Sequence, residues 1–116
     1  MDEGVKLVRE RLAGAKNVMV ITGAGVSAES GIPNFRDEKG LWEEFNPLDY
    51  ATREAFKRDP AKVWQWYDER RVKAAQARPN PAHKALAEMV RPGRRVFIVT
   101  QNVDDLHEQA GSKGVV

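Results

Sequence analysis

The sequence contains no cysteine, so it can form no disulfide and offers no thiolate ligand for zinc. It has no apolar run long enough to span a membrane, and no secretory-signal pattern opens it. The formal net charge is only +2 over 116 residues, and no basic stretch is interleaved with aromatic residues. These absences predict a cytoplasmic protein with neither nucleic-acid nor membrane partners.

Two short apolar runs carry the fold prediction. The first, residues 18–22, leads directly into Gly23, and the second covers residues 96–100. Each run is continuous rather than alternating, which is typical of a strand buried on both faces of a parallel sheet. A helix, a strand and a glycine-rich turn in this order suit the opening of a doubly wound α/β fold.

Two predicted helices share one start signal. An acid or amide side chain precedes proline at Asp59 and at Asn80, which predicts helices over about 60–77 and 82–90. Helical spacing places one set of side chains on a common stripe of the first helix, namely Val63, Trp64, Tyr67, Arg71 and Ala74.

The other stretches are less regular. Apolar spacing predicts a helix over about 3–14, with Val5, Val8 and Leu12 on its inner stripe. Residues 32–56 show no clear period, yet their aromatic content argues against disorder. We interpret them as a lid-like loop that can fold over a ligand. Residues 115–116 are expected to open a further strand.

The glycine-rich turn can bring backbone close to a ligand. We expect Gly23 and Gly25 to allow positive φ angles, and with Ala28 they fit the loose form of the dinucleotide-binding pattern. Small residues leave room for a pyrophosphate, and Ser27 and Ser30 can add hydroxyl donors. A tight strand-to-helix turn that binds nothing explains the same residues equally well.

A second polar block follows the second strand. Gln101 and Asn102 offer amide groups for ribose hydroxyls and an ordered water, and Asp104 offers a carboxylate for an amide NH₂ group. Ligands of open α/β sheets lie beyond the carboxyl ends of the strands, so both blocks should line one crevice if their strands are parallel neighbours. The alternative is a turn whose Asn and Asp side chains cap a short helix that begins at Asp104 or Asp105 and ends near residue 111.

Together the two blocks resemble a known family. Residues 23–36 contain a Gly-Ala-Gly-x-Ser-x-x-Ser-Gly-Ile-Pro-x-Phe-Arg motif, and residues 100–107 contain Thr-Gln-Asn-x-Asp-x-Leu-His. Both motifs, in this order, resemble the sirtuins, the NAD-dependent protein-lysine deacylases. The resemblance implies a Rossmann-like doubly wound parallel sheet, of which this chain holds the first part, in residues 1–31 and 92–116. Residues 32–91 would form a cofactor loop and a helical small-domain insertion.

The resemblance also implies a set of site residues. Asn102 would take part in catalysis. The set expected to bind NAD comprises Gly23, Ala24, Gly25, Val26, Ser27, Ala28, Glu29, Ser30, Gly31, Ile32, Phe35, Arg36, Trp42, Gln101, Asn102, Val103 and Asp104. The acyl group of a lysine on a protein partner would pass to ADP-ribose as nicotinamide leaves.

One helix suggests which acyl groups are accepted. Tyr67 and Arg70 are three positions apart on the helix predicted over 60–77, so they lie side by side on its surface. A phenol and a guanidinium can jointly hold a carboxylate. With Ala51, this pair resembles the sirtuin branch that removes succinyl, malonyl or glutaryl groups. The alternative is an aromatic residue at the edge of the core beside a solvated charge.

The resemblance further implies what the 116 residues do not contain. The catalytic base, a histidine, and a four-cysteine zinc module would lie beyond Val116, so we expect these residues alone to be inactive. His83 and His107 are interpreted as structural. A non-catalytic nucleotide-binding module, or a sirtuin-like enzyme that hydrolyses NAD without an acyl substrate, are the alternative functions.

Overall fold

The computed structural model describes residues 1–32 and 49–116. Its regular elements, in chain order, are α1 (Glu3–Ala13), β1 (Asn17–Thr22), α2 (Ala24–Ala28), α3 (Arg53–Arg58), α4 (Pro60–Gln76), α5 (Pro81–Glu88), β2 (Arg95–Thr100) and α6 (Leu106–Gln109). The predicted α/β class, with a parallel sheet and helices between its strands, is confirmed. Three predicted cofactor residues, Phe35, Arg36 and Trp42, lie outside the described residues, as does most of the predicted lid-like loop.

The two strands pair in parallel over their whole length. The register runs from Asn17 opposite Arg95 to Thr22 opposite Thr100, so both strands end at the same edge of the sheet. Val116 lies along the other side of β2, where its N–H donates to Ile98 O at 3.0 Å and its carbonyl accepts from Thr100 N at 2.8 Å. This is the hydrogen bonding of a parallel neighbour.

One face of this sheet is more open than the sequence predicts. Met19 and Ile21 of β1 and Phe97 and Val99 of β2 are exposed, and the register brings them together on one face. The prediction that both strands are buried on both faces is therefore wrong for the described residues. The physical reason is that no described element packs across this face, whereas Ile98 on the opposite face is buried.

Helix α1 is held at its C-terminal end by Arg94. The guanidinium of Arg94 donates to the carbonyls of Leu12 and Ala13 in the last turn of the helix and of Ala15 just after it. The predicted inner stripe of this helix is wrong at Val5 and Val8, which are both exposed, whereas Leu12 is half-buried. Among the described residues, α1 is held mainly by hydrogen bonds at its C-terminal end, because none of its side chains is fully buried.

A short helix occupies part of the stretch predicted to be irregular. Helix α3 covers Arg53–Arg58, and Thr52 begins it by accepting the N–H of Ala55 at 3.0 Å. Its buried residue is Ala55. The prediction missed α3 because a six-residue helix has too few turns to display a hydrophobic period.

Helix α4 buries a different tryptophan from the predicted one. Trp66 is only 7% exposed, whereas Trp64 is 67% exposed. Val63 is buried, as its place on the predicted stripe implies, but Tyr67 is half exposed. The burial of Trp66 is decided by Tyr50, whose ring stacks on the indole with centroids 5.1 Å apart. Such a contact across the chain is invisible to helical spacing.

Asn80 caps α5 and also ties it to α2. Its side-chain oxygen accepts the N–H groups of Ala82 and His83, as an N-cap residue does. Its amide nitrogen donates to Val26 O at 2.7 Å and to Ser30 Oγ at 3.0 Å. One buried side chain therefore fixes both the start of α5 and the position of the α2 segment.

We expect Asn80→Ala to lower the free energy of unfolding by about 2–3 kcal/mol, because the cap and two buried hydrogen bonds are lost together. Asp59→Ala is the matched control, since Asp59 also precedes proline and caps α4, but it is exposed and, among the described residues, its side chain bonds only to Lys62 N. The control should cost about 1 kcal/mol. Equal losses in chemical denaturation would show that the bonds to α2 contribute nothing.

None of the described helices is long and apolar enough to cross a membrane. The described residues also contain no group of three or more His, Asp or Glu side chains that could hold a metal ion. The division of the chain into a Rossmann-like part and a helical insertion stays a prediction.

Candidate functional site

The two polar blocks meet where the strands end. The N–H of Gln101 donates to Thr22 O at 3.0 Å, which continues the parallel pairing one residue past β2. The predicted convergence of the two segments is therefore confirmed. The hydroxyls of Thr22 and Thr100, at the last position of each strand, bond to each other at 2.9 Å and close the sheet below the crevice.

Asn102 joins the two sides of this crevice directly. Its side-chain nitrogen donates to Gly23 O at 2.9 Å and to Ser27 Oγ at 3.3 Å. Its own backbone N–H donates to Thr100 Oγ1 at 3.1 Å. An amide is suited to this place because its NH₂ group has two hydrogens to donate, while its oxygen stays available as an acceptor.

Asp104 bonds at the start of the next helix, as one of the two sequence alternatives holds, and it also bonds to Ser27 across the crevice. One carboxylate oxygen accepts the hydroxyl of Ser27 at 2.9 Å, and the other accepts the N–H of Leu106 at 3.1 Å, at the start of α6. Asp104 thus supports a helix start and also faces the crevice. A carboxylate has about four acceptor positions, so these two bonds leave capacity for an amide donor of a ligand.

Ser27 is the centre of a buried hydrogen-bond chain. Its hydroxyl donates to Asp104 and accepts from Asn102, and Nε2 of His83 lies 3.4 Å away. The N–H of Asn80 donates to Nδ1 of His83 at 3.1 Å, which assigns the hydrogen of the ring to Nε2. His83 therefore donates to Ser27, and Ser27 passes its own hydrogen to Asp104. The single hydroxyl hydrogen of Ser27 is directed to Asp104 here, and the role of Ser27 toward a phosphate stays a prediction.

Burial lowers the pKa of His83 below its ordinary value, and the neighbouring His107 lowers it further. The carboxylate of Asp104 acts in the opposite direction and raises this pKa. The two imidazole rings stand edge to face with centroids 5.1 Å apart, and both are fully buried. His83 is thus held neutral near pH 7, which is the state that its single ring hydrogen requires. The interpretation of both histidines as structural agrees with their burial.

His107 supports the sheet edge from below. Its Nε2 lies 2.8 Å from the hydroxyl of Thr22, which in turn donates to Thr100. Its Nδ1 atom is buried and has no hydrogen-bond partner among the described residues. The two histidines therefore support the two halves of the crevice, His83 through Ser27 and His107 through Thr22.

The glycines of the turn do not adopt the predicted conformation. Gly23 has φ −139° and ψ −163°, an extended conformation, and Gly25 lies within α2. The expectation of positive φ at these two positions is wrong, and Gly31, with φ 89°, is the residue of the block that adopts it. What Gly25 provides is space, since a Cβ atom there would meet nothing within 4 Å.

This open surface fits a pyrophosphate. Ala24 and Gly25 form the first turn of α2, where backbone N–H groups have no carbonyl partner within the helix. Together with the absence of side-chain bulk at Gly25, these donors suit phosphate oxygens. The hydroxyl of Ser30 accepts from Asn80 and keeps its own hydrogen to donate. The residues present therefore fit the pyrophosphate of NAD.

The other predicted cofactor residues surround this crevice at different depths. Val26 and Ala28 are half-buried in α2, and Glu29 just after it is exposed. Ile32 is half-buried, and its N–H donates to Ser27 O at 3.4 Å. Val103 is fully exposed between Asn102 and Asp104, so its backbone and side chain are both accessible to a ligand.

Two of the three predicted acyl-binding residues, Tyr67 and Arg70, lie in an aromatic cluster around Trp66 of α4. We define this aromatic cluster as Tyr50, Trp66, Tyr67 and Arg70. The ring of Tyr67 meets Trp66 edge to face, with centroids 4.9 Å apart, and the guanidinium carbon of Arg70 lies 4.5 Å from the centroid of Trp66. Ala51 follows Tyr50 in the chain and is exposed. Burial lowers the pKa of Arg70 and nearby Tyr67 raises it, and the group still remains charged near neutral pH.

Sequence reasoning missed Tyr50 and Trp66 as partners of the predicted pair. The available signal was the spacing of Trp66 and Arg70, four apart on a helix, which places a cation beside an aromatic ring. It also missed that Asn80 and His83 support the crevice. Their sequence signal is the Asn-Pro-x-His pattern, in which the N-cap side chain and the third helical side chain exchange bonds with each other's backbone.

The chain is similar to proteins of known family. The family profile described as "Sir2 family" matches residues 23–116. An NAD-dependent protein deacylase of Thermus thermophilus is 56% identical over 118 residues, which cover 98% of this chain and 46% of that protein. A variant Sir2 homologue solved with ADP-ribose superposes with a TM-score of 0.87 at 51% identity. The match covers 100% of this chain and 45% of the homologue's chain.

A Sir2 homologue solved with NAD superposes with a TM-score of 0.82 at 52% identity, covering 100% of this chain and 44% of that one. The chain thus spans less than half the length of the relatives and structures that it matches.

Proposed function

This chain belongs to the Sir2 family, and on that premise we propose that it contributes the NAD crevice and part of the acyl site of a protein-lysine deacylase. The reaction transfers the acyl group to ADP-ribose and releases nicotinamide. The observation that carries the proposal is the pair of bonds from Asn102 to Gly23 and from Ser27 to Asp104, which join the two motif segments across one crevice. Because the chain spans 46% of the Thermus relative, the activity of an entire deacylase is part of the proposal.

Different residues of the crevice are assigned to different parts of the cofactor. The first-turn amides of α2 hold the pyrophosphate, and the free oxygen of Asn102 with Gln101 holds the ribose next to nicotinamide. Asp104 and the backbone of Val103 bind the carboxamide. When bound, NAD supplies the ribose carbon that accepts the acyl oxygen while nicotinamide leaves. The chain's own contribution is to orient these groups and keep them in place, which accelerates a reaction by fixing its geometry.

The experiment that tests this function compares nicotinamide release by the intact protein with and without an acylated lysine peptide. Release that depends on the peptide, with acylated ADP-ribose found by mass spectrometry, supports the deacylase. Release without a peptide would instead indicate an NAD hydrolase. NAD binding without any release would indicate a nucleotide-binding module.

We further propose that Tyr67 and Arg70 bind the carboxylate of succinyl-, malonyl- or glutaryl-lysine, with room left by Ala51. The support is that both side chains contact the same indole of Trp66 and that nearby Tyr67 raises the pKa of Arg70. A half-buried guanidinium gains more from a carboxylate partner than a fully solvated one does. Zinc binding, a cytoplasmic location and the inactivity of residues 1–116 alone stay predictions.

We expect Arg70→Met to lower kcat/KM for a succinyl-lysine peptide by about 10- to 100-fold, the range for loss of a charged hydrogen bond, with little change for the acetyl-lysine peptide. Arg71→Met is the matched control, because Arg71 is exposed and pairs with Asp68 on the solvent side at 2.8 Å. The control should leave both substrates unchanged. A fall of the same size for both peptides in Arg70→Met would contradict the acyl assignment.

A further inference from the structure

The aromatic cluster has Trp66 at its centre. Trp66 is buried, and three members of the described chain approach its ring: Tyr50 by stacking, Tyr67 by an edge and Arg70 by its guanidinium. Tyr67 is the next residue along α4, and Arg70 is one helical turn further on. The two polar groups that the proposed acyl site requires are thus both adjacent to one ring that is itself buried.

The contact between Arg70 and Trp66 is a cation–π interaction. The guanidinium carbon lies 4.5 Å from the ring centroid, within the roughly 6 Å over which such interactions act. Arginine has many rotamers in water, and a flat ring beside the guanidinium plane restricts which of them are populated. The interaction strengthens as water is removed, and Arg70 is half-buried.

The position of Trp66 is fixed independently of Arg70. The ring of Tyr50 stacks on it at an interplanar angle of 13°. Trp66 therefore connects the segment before α3 to the polar side chains on α4. A buried, stacked ring of this kind cannot turn away when Arg70 binds a ligand or loses one.

Resting on the proposed function, we infer that Trp66 is a positioning residue that selects acidic acyl groups by holding Arg70 and Tyr67 in place. It does so without contact to the reacting atoms. The acyl carboxylate then binds a guanidinium that is already oriented. The entropy lost in ordering the Arg70 side chain therefore does not weaken substrate binding. Acetyl-lysine has no carboxylate and gains nothing from this arrangement.

The test measures the ratio of kcat/KM for succinyl-lysine to that for acetyl-lysine in the intact protein. Trp66→Met keeps an apolar side chain but removes the π face, and we expect it to lower the ratio about fivefold to tenfold. Trp66→Phe keeps a ring face and should restore the ratio to within about twofold of the natural protein. Trp64→Met, a change at an exposed tryptophan of the same helix, should leave the ratio unchanged.

The same measurement in the Arg70→Met background separates the inference from the proposed function. There the second change, Trp66→Met, should lower the ratio much less than it does in the natural protein, because Arg70 is already removed and only the contact of Trp66 with Tyr67 remains. If Trp66→Met alone lowers both activities equally, Trp66 has only a structural role and the inference is overturned, while the Arg70 result still stands. If Arg70→Met itself leaves the ratio unchanged, the proposed acyl specificity fails first. Trp66→Leu gives the same comparison should the methionine variant not fold.

Discussion

Replacing Asn102 with alanine is expected to lower kcat/KM for NAD-dependent deacylation by about 10²- to 10³-fold. The substitution removes the donor that holds Gly23 O at 2.9 Å and the contact to Ser27 at 3.3 Å. It also removes the amide oxygen that we assign to the nicotinamide ribose. The two sides of the crevice then lose one of their two short side-chain links, and the ribose loses a fixed partner. Nicotinamide release at saturating acyl peptide measures this loss.

Asn17→Ala is the matched control for Asn102→Ala. Asn17 begins β1 at the opposite edge of the sheet, is exposed and accepts from Arg95 at 3.2 Å. It should leave activity within about twofold of the natural protein, as surface substitutions usually do. Asn102→Asp tests the NH₂ group separately from the shape of the side chain. It keeps the shape but replaces the amide with a second carboxylate beside Asp104. Full activity in Asn102→Ala would show that the bridge to Gly23 is dispensable and would remove the main support for the proposed function.

Replacing His83 with alanine is expected to lower the free energy of unfolding by about 3–5 kcal/mol, because a cavity forms and a buried network loses its partner. The ring fills a fully buried space between α5 and α6. Its loss leaves the N–H of Asn80 without an acceptor and removes the donor to Ser27. Denaturant unfolding of the intact protein, followed by circular dichroism at pH 8, measures the change. A loss below about 1 kcal/mol would contradict the assigned network.

The same histidine makes stability depend on pH. Burial and His107 lower the pKa of folded His83, so in the unfolded chain this group binds its proton at a higher pH than in the folded chain. Its contribution is therefore fully present above the ordinary imidazole pKa near 6.5 and is lost as pH falls through the lower folded value. His83→Asn removes the titrating group, so the fall in stability between about pH 7 and pH 5 should become shallower in this variant.

The crevice was predictable because it depends on strand ends. The pattern of two continuous apolar runs, each followed by polar residues, predicted parallel neighbours, and the register from Asn17–Arg95 to Thr22–Thr100 confirms them. Parallel strands that share an edge necessarily bring residues 23–31 and 101–104 together. The roles of the individual residues toward NAD stay predictions, because they depend on a ligand rather than on the backbone.

The side-chain details were less predictable, and the reason is physical. Trp64, Trp66 and Tyr67 are all large and aromatic, so spacing alone gives no preference for which one is buried. The choice is made by Tyr50, a residue from another segment. Likewise, Gly25 was expected to allow a positive φ angle, yet it lies in a helix and instead leaves open space where a side chain would be. Each error concerns a contact partner that sequence periodicity does not report.

The parallel pairing of β1 with β2 also determines when the cofactor crevice can form. Helices α4 and α5 lie between the two strands in the chain, so the contacts that close the crevice join residues far apart in sequence. The chain loses conformational entropy in closing such a long loop before these contacts can stabilise it, which slows folding. On a translating ribosome, residues 23–31 therefore emerge long before Asn102 leaves the exit tunnel. The hydrogen bonds that join the two sides of the crevice can form only after that point.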